Sequence, residues 1–391
     1  MTALAQHADA PAPVGGRVWN RFSLMLLVLV IPMVAVLAVR FAKGLGAVSN
    51  MSDGYPWGIW IAYDVVVGSA LGAGGFTVAF LAYILNRGEY HPVVRPALLA
   101  ALFGYLQAGA SVFFDIGRYW EFWHLFAPKY AQINSALFEV GVCIGAYTLV
   151  LFIEFMPIVM ERLGWEQPRK KLNRVLFIFI ALGVLLPTMH QSSLGTLLVV
   201  MGPQIHPLYQ TNLLPVLFLV SCIGMGLAAV VFEGTMSSLA LHRPLERLLL
   251  GKLMVVGVVL AAVFVVARVV DAAVRGVLPL ALDLSWPAAM FWVELLLFAI
   301  PVLLLFTAEA RRRAQRLFVG AVLLAVGGMI YRLSAYLVAY DTGAGWTYFP
   351  SMGELAVTIG LIAFEILAIS IAIRLLPILP KVPAEFRGEA R

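Results

Sequence analysis

Hydrophobic residues in this chain are gathered into long runs, and polar residues are gathered between the runs. A helix needs about 20 apolar residues to cross the hydrocarbon core of a bilayer. Ten runs reach that length, and the connections between them are too short to hold a water-soluble domain. The ten predicted membrane-spanning segments cover residues 22–40, 57–85, 96–118, 134–160, 174–200, 212–240, 251–273, 287–308, 316–340 and 354–377.

The composition supports this interpretation. Hydrophobic residues make up 62% of the chain and charged residues 12%, whereas soluble domains have about 45–50% and about 25%. These proportions exclude an ordinary soluble enzyme, a disordered chain and a nucleic-acid-binding protein, so that the net charge of +6 calls for a membrane explanation. The predicted fold class is an all-α integral membrane protein.

The positions of lysine and arginine predict the orientation, because cytoplasmic loops of membrane proteins carry an excess of both. With the N-terminus inside, most of the 27 basic residues fall on the inner side, including the clusters at 162–174 and 311–316. Both termini are therefore expected in the cytoplasm. Residues 1–16 are predicted to be a loose tail before a single membrane domain, 17–391.

A weak internal repeat divides the membrane domain. The second and sixth segments are both glycine-rich, and the third and seventh both end in an acid and an arginine. The fourth and eighth segments carry Glu139 and Glu294 just inside their outer ends. We interpret this repeat as two four-helix bundles, segments 2–5 (about 57–200) and segments 6–9 (about 212–340), with segments 1 and 10 flanking them.

Ionisable side chains inside a bilayer cost about 2.5–3.5 kcal/mol on insertion scales and usually have a function or a partner. Several such residues gather in the outer third of segments 2–5. The third segment carries a polar stripe that leads through Asp115 to Arg118 at the outer surface, and Pro187 is expected to break the fifth segment beside His190. Helix breaks at membrane depth survive where they line a cavity or are buried in protein.

This arrangement suits a quinone pocket, because a quinone needs hydrogen-bond donors, proton sources, apolar walls and a lateral opening. In it we expect Arg118 to keep Asp115 ionised. The predicted roles are catalysis for Asp115, Glu139 and His190, quinone binding for Trp57, Trp60, Asp64, Arg118, Tyr119 and Gln191, and a proton path for Tyr147 and Glu154. No metal site is predicted.

Structural roles are the alternatives for these residues. Asp115 with Arg118 is also a plausible helix-end pair, and His190 a cap for the broken helix. A further cluster of charged residues is expected near the outer end of the second bundle. Neutralisation of these opposite charges by one another explains the cluster as well as a functional role does. That cluster comprises Arg268, Asp271, Glu294 and Arg332.

Cofactor expectations follow from the histidines and cysteines. A membrane b-type haem needs axial histidines at helix depth, and of six histidines only His190 is placed there, so no haem is expected. Cys143 and Cys222 cannot hold an iron–sulfur cluster, which takes about four thiolates. Electrons must then arrive from a partner, and the aromatic outer loops offer a docking surface for it.

Five stretches of the chain resemble the HybB-type membrane subunits of periplasm-facing nickel–iron hydrogenases, often labelled b-type cytochromes, within the wider NrfD/polysulfide-reductase family. The resemblance runs from about residue 40 to residue 380. The stretches are GYPWGIWIAYD at 54–64, NRGEYHP at 86–92, DIGRYW at 115–120, LPTMHQSS at 186–193 and RLLPILP at 374–380.

The resemblance implies a haem-free quinone-reactive subunit of the bacterial inner membrane, with menaquinone as the expected substrate and a link to proton movement. Its implied partners are membrane lipid, a ferredoxin-like iron–sulfur subunit, and the large and small subunits of a [NiFe]-hydrogenase at the periplasmic face. Three other functions stay open: a proton-coupled transporter, a membrane subunit of another iron–sulfur reductase of the family, and a structural anchor.

Overall fold

A computed structural model describes residues 11–343 and 345–381 of this multi-pass membrane protein. Ten helices are long and apolar enough to cross a membrane, and the described residues form isolated β-bridges but no strand. The all-α prediction with ten spans is therefore confirmed. The helices are α1 (Arg21–Lys43), α2 (Trp60–Ile84), α3 (His91–Asp115), α4 (Ala136–Leu163), α5 (Glu166–Met201), α6 (Leu214–Ala240), α7 (Arg247–Val274), α8 (Trp286–Leu304), α9 (Ala314–Leu333) and α10 (Met352–Leu375).

Because the helices alternate in direction, their connections form two opposite faces. We call one the aromatic face, since its loops carry many exposed aromatic side chains. It comprises residues 44–59, 116–135, 202–213, 275–285, 339–343 and 345–351. The opposite face, with the connections 85–90, 164–165, 241–246 and 305–313, is the basic face.

The helices pack as two groups of four. In the first group, each of α2, α3, α4 and α5 packs against the next helix in the chain, and α2 also contacts α5. In the second group, α6, α7, α8 and α9 pack in the same way, and α9 also contacts α6. Helices α1 and α10 pair with each other, and α10 packs against α2 and α3. The α2 and α5 helices also contact α6, which joins the two groups.

Glycines set the closest approach between the groups. A Cβ atom on Gly74 of α2 would lie 2.6 Å from Val230 Cγ2 and 2.7 Å from the Gly226 carbonyl oxygen. A Cβ atom on Gly226 of α6 would lie 2.6 Å from the carbonyl carbon of Ala73. Small residues permit such backbone contact between membrane helices, so these two glycines fix how the bundles meet.

We expect Gly226→Ala to destabilise the chain by about 1–3 kcal/mol, because overpacking a close contact forces backbone shifts of that cost. The matched control is Gly145→Ala in α4, where a Cβ atom would meet nothing within 4 Å. The melting temperatures of the two variants are compared by thermal unfolding in detergent, with size-exclusion chromatography as the readout. Equal melting temperatures would contradict the close-contact account.

One local expectation is wrong. The α5 helix is not broken at Pro187; it continues from Glu166 to Met201, and the Thr188 hydroxyl donates to the Val184 carbonyl oxygen at 2.6 Å. The irregular helix is α2, whose ends at Trp60–Val65 and Phe80–Ile84 are π-helical. Such π-helical turns often occur at functional sites.

Residues 11–16 also differ from the expected loose tail, whose first ten residues lie outside the described part. The Ala12 amide donates to the Leu379 carbonyl oxygen at 3.0 Å, and the Val14 amide donates to that of Ile373 at 3.1 Å. This segment is therefore pinned to the basic-face end of α10.

Candidate functional site

Three helices bring carboxyl groups together below the aromatic face. Asp115 is the last residue of α3, and Asp64 lies in the π-helical start of α2. The Thr358 hydroxyl of α10 donates to Asp64 Oδ2 at 3.1 Å, and Asp115 lies close enough to Asp64 for their charges to interact. The prediction that Asp64 and Asp115 share one site therefore agrees with the geometry. We call Asp64, Asp115 and Thr358 the acid cluster.

Glu354, in the first turn of α10, lies on the aromatic-face side of the acid cluster. Its carboxylate is fully buried and accepts hydrogen bonds from the Asn50 and Ser351 amides at 2.9 Å and from the Tyr348 hydroxyl at 2.7 Å. Burial and this carboxylate raise the pKa of Tyr348, so its hydroxyl keeps the proton that it donates. Glu354 is thus a fully bonded structural acid.

The arginine beside Asp115 is Arg40, which the sequence reasoning did not select. Its guanidinium is fully buried, donates to the Phe114 carbonyl oxygen at 2.7 Å, and donates also to that of Ile116. It thereby binds the carbonyl groups at the end of α3, on either side of Asp115. An arginine close to the end of an apolar helix is the only sequence signal for this role.

Arg118 does not hold Asp115 as expected. The α3 helix ends at Asp115, so Arg118 is no longer on the helical stripe; its side chain is 75% exposed and lies 3.7 Å from Glu121. Tyr119 packs edge-on against Phe41 and lies beneath the Arg40 guanidinium.

A cavity of about 500 Å³ opens between α3 and α4 under the loop that follows α3. Its polar groups include Arg118, Glu121 and His124, and its apolar wall includes Val112 and Phe138. Asp115 and Glu139 each neighbour a wall residue in sequence, Ile116 and Phe138 respectively. Ligand pockets of about 300–1,000 Å³ with apolar walls and a few polar groups are typical of small-molecule sites.

His190 and Gln191 lie elsewhere. His190 Nε2 is 3.1 Å from Ser69 Oγ, the Gln191 side-chain amide donates to the same oxygen at 2.8 Å, and Arg332 donates to Gln191 Oε1 at 3.3 Å. All four side chains are fully buried where the bundles meet. We call this set the central cluster.

The central cluster corrects the expected depth of His190. His190 precedes the aromatic-face end of α5 by three turns, which is roughly 17 Å at 1.5 Å per residue. That distance is about half of a 30 Å hydrocarbon core. The expectation that one pocket in the outer third holds both His190 and Asp115 is therefore wrong, because three turns of continuous helix separate His190 from the aromatic-face end of α5.

The two tryptophans do not form one wall. The Trp57 indole donates to the Tyr336 carbonyl oxygen at 3.0 Å, in the π-helical turn that follows α9. The Trp60 indole donates to the Glu354 carbonyl oxygen at 3.1 Å on the other side of α2. Both rings are buried and their donors are satisfied. Trp57 therefore fastens the segment before α2 to the turn after α9, and Trp60 fastens α2 to α10.

The predicted proton path leads to the central cluster. The Tyr147 ring is buried edge-on against Tyr105, 4.5 Å between centroids, and Tyr105 in turn contacts the His190 ring. Glu154, two turns along α4, presses against Gly183 of α5, and its Oε1 has no hydrogen-bond partner in the described chain. These residues follow the inside of the first bundle and do not reach the cavity.

In the second bundle, the predicted outer cluster is largely a closed ion pair. Arg268 donates to Glu294 Oε1 through Nη2 at 2.6 Å and through Nε at 3.0 Å, and Tyr209 donates to Glu294 Oε2 at 3.2 Å. Arg268 and Glu294 are both fully buried. Arg332 belongs to the central cluster instead, and mutual neutralisation accounts for the Arg268 pair.

A ten-helix membrane protein with a polar cavity beneath one face and an acid cluster beside it is the class that these observations define. The polysulphide reductase NrfD family matches residues 47–340, and this chain belongs to that family. The sequence resemblance to this family is thereby confirmed.

Curated relatives are similar along most of their length. The chain is 42% identical over 373 residues, 95% of each chain, to the "Probable Ni/Fe-hydrogenase 2 b-type cytochrome subunit" of Escherichia coli (strain K12). It is 27% identical over 375 residues, 87% of each chain, to the "Menaquinone reductase, integral membrane subunit" of Nitratidesulfovibrio vulgaris (strain Hildenborough). Both names describe membrane components of redox enzymes.

The expectation of a haem-free chain is contradicted by the first of these names, because a b-type cytochrome carries haem. His190 is the most deeply placed histidine in the described part of the chain. Its Nε2 faces Ser69 at 3.1 Å and its ring contacts Tyr105. This closed packing around His190 does not fit a porphyrin.

Proposed function

We propose that this chain is the quinone-reactive membrane subunit of a respiratory hydrogenase complex in the bacterial inner membrane. Electrons from hydrogen oxidation pass through a ferredoxin-like iron–sulfur partner to menaquinone bound in the cavity between α3 and α4. The aromatic face is periplasmic, and both ends of the chain are cytoplasmic. The observation that carries the proposal is the cavity itself, which lies directly beneath exposed aromatic side chains and whose wall residues Ile116 and Phe138 adjoin Asp115 and Glu139 in sequence.

The cavity supplies what a quinone headgroup requires. Arg118 and His124 are hydrogen-bond donors for the two carbonyl oxygens, and Val112 and Phe138 are apolar walls for the ring. Reduction adds two electrons from the reduced iron–sulfur partner and two protons, so that each carbonyl becomes a hydroxyl. The candidate donors of those protons are Asp115 and Glu139, which adjoin the cavity residues Ile116 and Phe138 in sequence.

The aromatic face offers the docking surface. Trp120 and Phe126, in the loop above the cavity, are 62% and 64% exposed. Trp286, the first residue of α8, and Phe349, in the loop before α10, are also largely exposed. Exposed aromatic residues are enriched in protein interfaces, and a partner seated here would bring its iron–sulfur cluster close to the quinone.

We expect Arg118→Ala to raise the KM for a menaquinone analogue at least about tenfold, because a lost hydrogen bond to a charged group costs about 1.5–3 kcal/mol. The assay is hydrogen-driven quinone reduction by the purified complex. Dye-linked hydrogen oxidation, which bypasses the quinone, should not change.

The matched control is Lys43→Ala, which removes an exposed positive charge from the aromatic-face end of α1, away from the cavity. It should leave the KM as in the unaltered complex. An unchanged KM in Arg118→Ala, or an equal rise in Lys43→Ala, would count against a quinone in this cavity.

A further inference from the structure

Arg332, in the central cluster, is a fully buried cation where the two bundles meet. Its terminal N–H groups donate to neutral acceptors, which are Ser221 Oγ at 3.0 Å, Met225 Sδ at 3.1 Å, Gln191 Oε1 at 3.3 Å, and the carbonyl oxygens of Phe218 at 2.9 Å and Gly328 at 3.5 Å. Buried charges in membrane proteins are normally paired with an opposite charge. No carboxylate is among these contacts, so the described residues leave the charge of Arg332 uncompensated.

The ionisable side chains near Arg332 do not supply the opposite charge. They are Cys222, Tyr105, Tyr331 and Tyr336, and a thiol or a phenol is neutral in its ordinary form at neutral pH. Glu294 lies near Tyr331, but its carboxylate is already bound by Arg268. An anion from outside the chain would supply the charge that these neighbours do not.

Three polar atoms around Arg332 lack hydrogen-bond partners in the described chain. They are Arg332 Nε, the Tyr105 hydroxyl and His190 Nδ1. The Tyr105 and His190 rings are 5.9 Å apart between centroids, and both residues lie close enough to Arg332 for an electrostatic interaction. The three unpartnered atoms are therefore grouped on one side of the bundle contact.

Ser69 determines which nitrogen of His190 carries the proton. The Gln191 side-chain amide donates to Ser69 Oγ at 2.8 Å, and His190 Nε2 lies 3.1 Å from the same oxygen. A serine hydroxyl has one hydrogen to donate, and His190 Nε2 is its acceptor among these contacts. A neutral imidazole carries its proton on one nitrogen only, so the proton of His190 is on Nδ1, where it is an unpartnered donor.

The unpartnered atoms are thus three donors: two N–H groups and a hydroxyl. A water molecule accepts hydrogen bonds but must also donate its own two hydrogens, and none of the three atoms is needed as an acceptor by its own chemistry. An anion accepts from all three donors and has no hydrogens to place. It also compensates the charge of Arg332, which a water molecule does not.

The sequence repeat places this site at the contact between the bundles. Ser69 of α2 and Ser221 of α6 each precede by five residues the glycines that hold the two helices together, Gly74 and Gly226. Both helices run from the aromatic face to the basic face, so the two serines lie at one level. Ser69 belongs to the first bundle's part of the central cluster, and Ser221 binds Arg332 from the second.

We propose that the central cluster binds one monovalent anion, chloride in the cell, between the two bundles. Arg332 provides the positive charge and its Nε–H group, and the Tyr105 hydroxyl and the His190 Nδ1–H group complete the donor set. The anion thereby connects α3 and α5 of the first bundle to α9 of the second. This site goes beyond the proposed function, because halide binding requires neither a quinone nor a partner subunit.

The test counts bound halide in the whole complex, with bromide as the probe. Cells are grown and the complex is purified with bromide as the only halide, and free bromide is removed by size-exclusion chromatography in gluconate buffer. Inductively coupled plasma mass spectrometry then gives the bromide content of the complex. We expect one bromide per copy of this chain in the unaltered complex and none in Arg332→Met, which keeps a long side chain but has no charge.

The matched control is Arg312→Met, which removes an exposed arginine at the basic face and should keep the bromide. Equal bromide contents in the unaltered complex and in Arg332→Met would overturn the site. Absence of bromide from the unaltered complex would also overturn it and would leave the Cys222 thiolate as the counter-charge.

Tyr105→Phe decides the question if Arg332→Met does not assemble. It keeps the ring and the charge of Arg332 but removes one donor to the anion, so the bromide affinity should fall about tenfold. Bromide is titrated into complex purified without halide, and the melting temperature reports binding. Tyr83→Phe, at an exposed tyrosine near the basic-face end of α2, should bind bromide as the unaltered complex does. An equally unchanged affinity in Tyr105→Phe would overturn the anion site.

Discussion

Asp115→Asn is expected to lower hydrogen-driven menaquinone reduction at least about 100-fold, because positioned acid–base groups contribute about 10²–10⁴ to such reactions. The asparagine keeps the size of the side chain but has no proton to give. Asp115 immediately precedes the cavity residue Ile116 in sequence, and its carboxyl group lies close enough to the Arg40 guanidinium for their charges to interact. Assembly of the complex and dye-linked hydrogen oxidation should be preserved.

The control for this variant is Asp53→Asn, which neutralises an exposed carboxyl in another loop of the aromatic face. Its quinone reduction should equal that of the unaltered complex. Near-normal turnover by Asp115→Asn would remove Asp115 from the mechanism and would leave Glu139 as the candidate donor.

The second large effect concerns stability. Glu294→Gln should destabilise the chain by about 3–5 kcal/mol, because removing one partner of a buried ion pair leaves the other charge uncompensated. The orphaned group is Arg268, whose side chain is fully buried between α7 and α8 and also donates to the Leu208 carbonyl oxygen at 3.1 Å. Thermal unfolding in detergent measures the loss.

Two comparisons make this prediction specific. Glu309→Gln breaks a pair with Arg313 in which the glutamate is 78% exposed, and exposed pairs contribute only about 0–1 kcal/mol. The double variant Arg268→Met with Glu294→Leu should recover much of the stability, since apolar replacement of a buried pair is often neutral. If Glu294→Gln had the same melting temperature as Glu309→Gln, the pair of Arg268 and Glu294 would not stabilise the fold.

The membrane architecture could be predicted from the sequence because it depends on segment length and hydropathy alone. The predicted 134–160 and 354–377, for example, correspond to Ala136–Leu163 and Met352–Leu375. The closeness of Asp64 and Asp115 also followed, because both residues lie near the same ends of neighbouring helices. These properties are local or are fixed by the alternation of helix direction.

The predictions that were wrong depended on structural details that the spacing of polar and apolar residues does not encode. Arg118 left the polar stripe because α3 ends at Asp115, only three residues before it. His190 was misplaced in depth because three helical turns separate it from the end of α5 at Met201. Arg40 was missed because an arginine near the end of an apolar helix also occurs where the side chain merely reaches the membrane surface.

Contacts between residues far apart in the chain could not be predicted from the sequence either. The contact between Thr358 and Asp64 joins residues of α10 and α2, and the repeat assigned α10 only a flanking role. The polar face of α10 therefore went unused in the sequence reasoning, although it supplies Glu354, Thr358 and Glu365. Packing of α10 against α2 and α3 gives these residues their significance.

The most direct test of the quinone site is photolabelling of the whole complex with an azido-menaquinone analogue, followed by peptide mass spectrometry. A quinone between α3 and α4 predicts labels on wall residues such as Val112, Leu125 and Phe138, with the labels competed away by unmodified menaquinone. Competable labels confined to the central cluster or to the second bundle would contradict the account and place the reaction elsewhere.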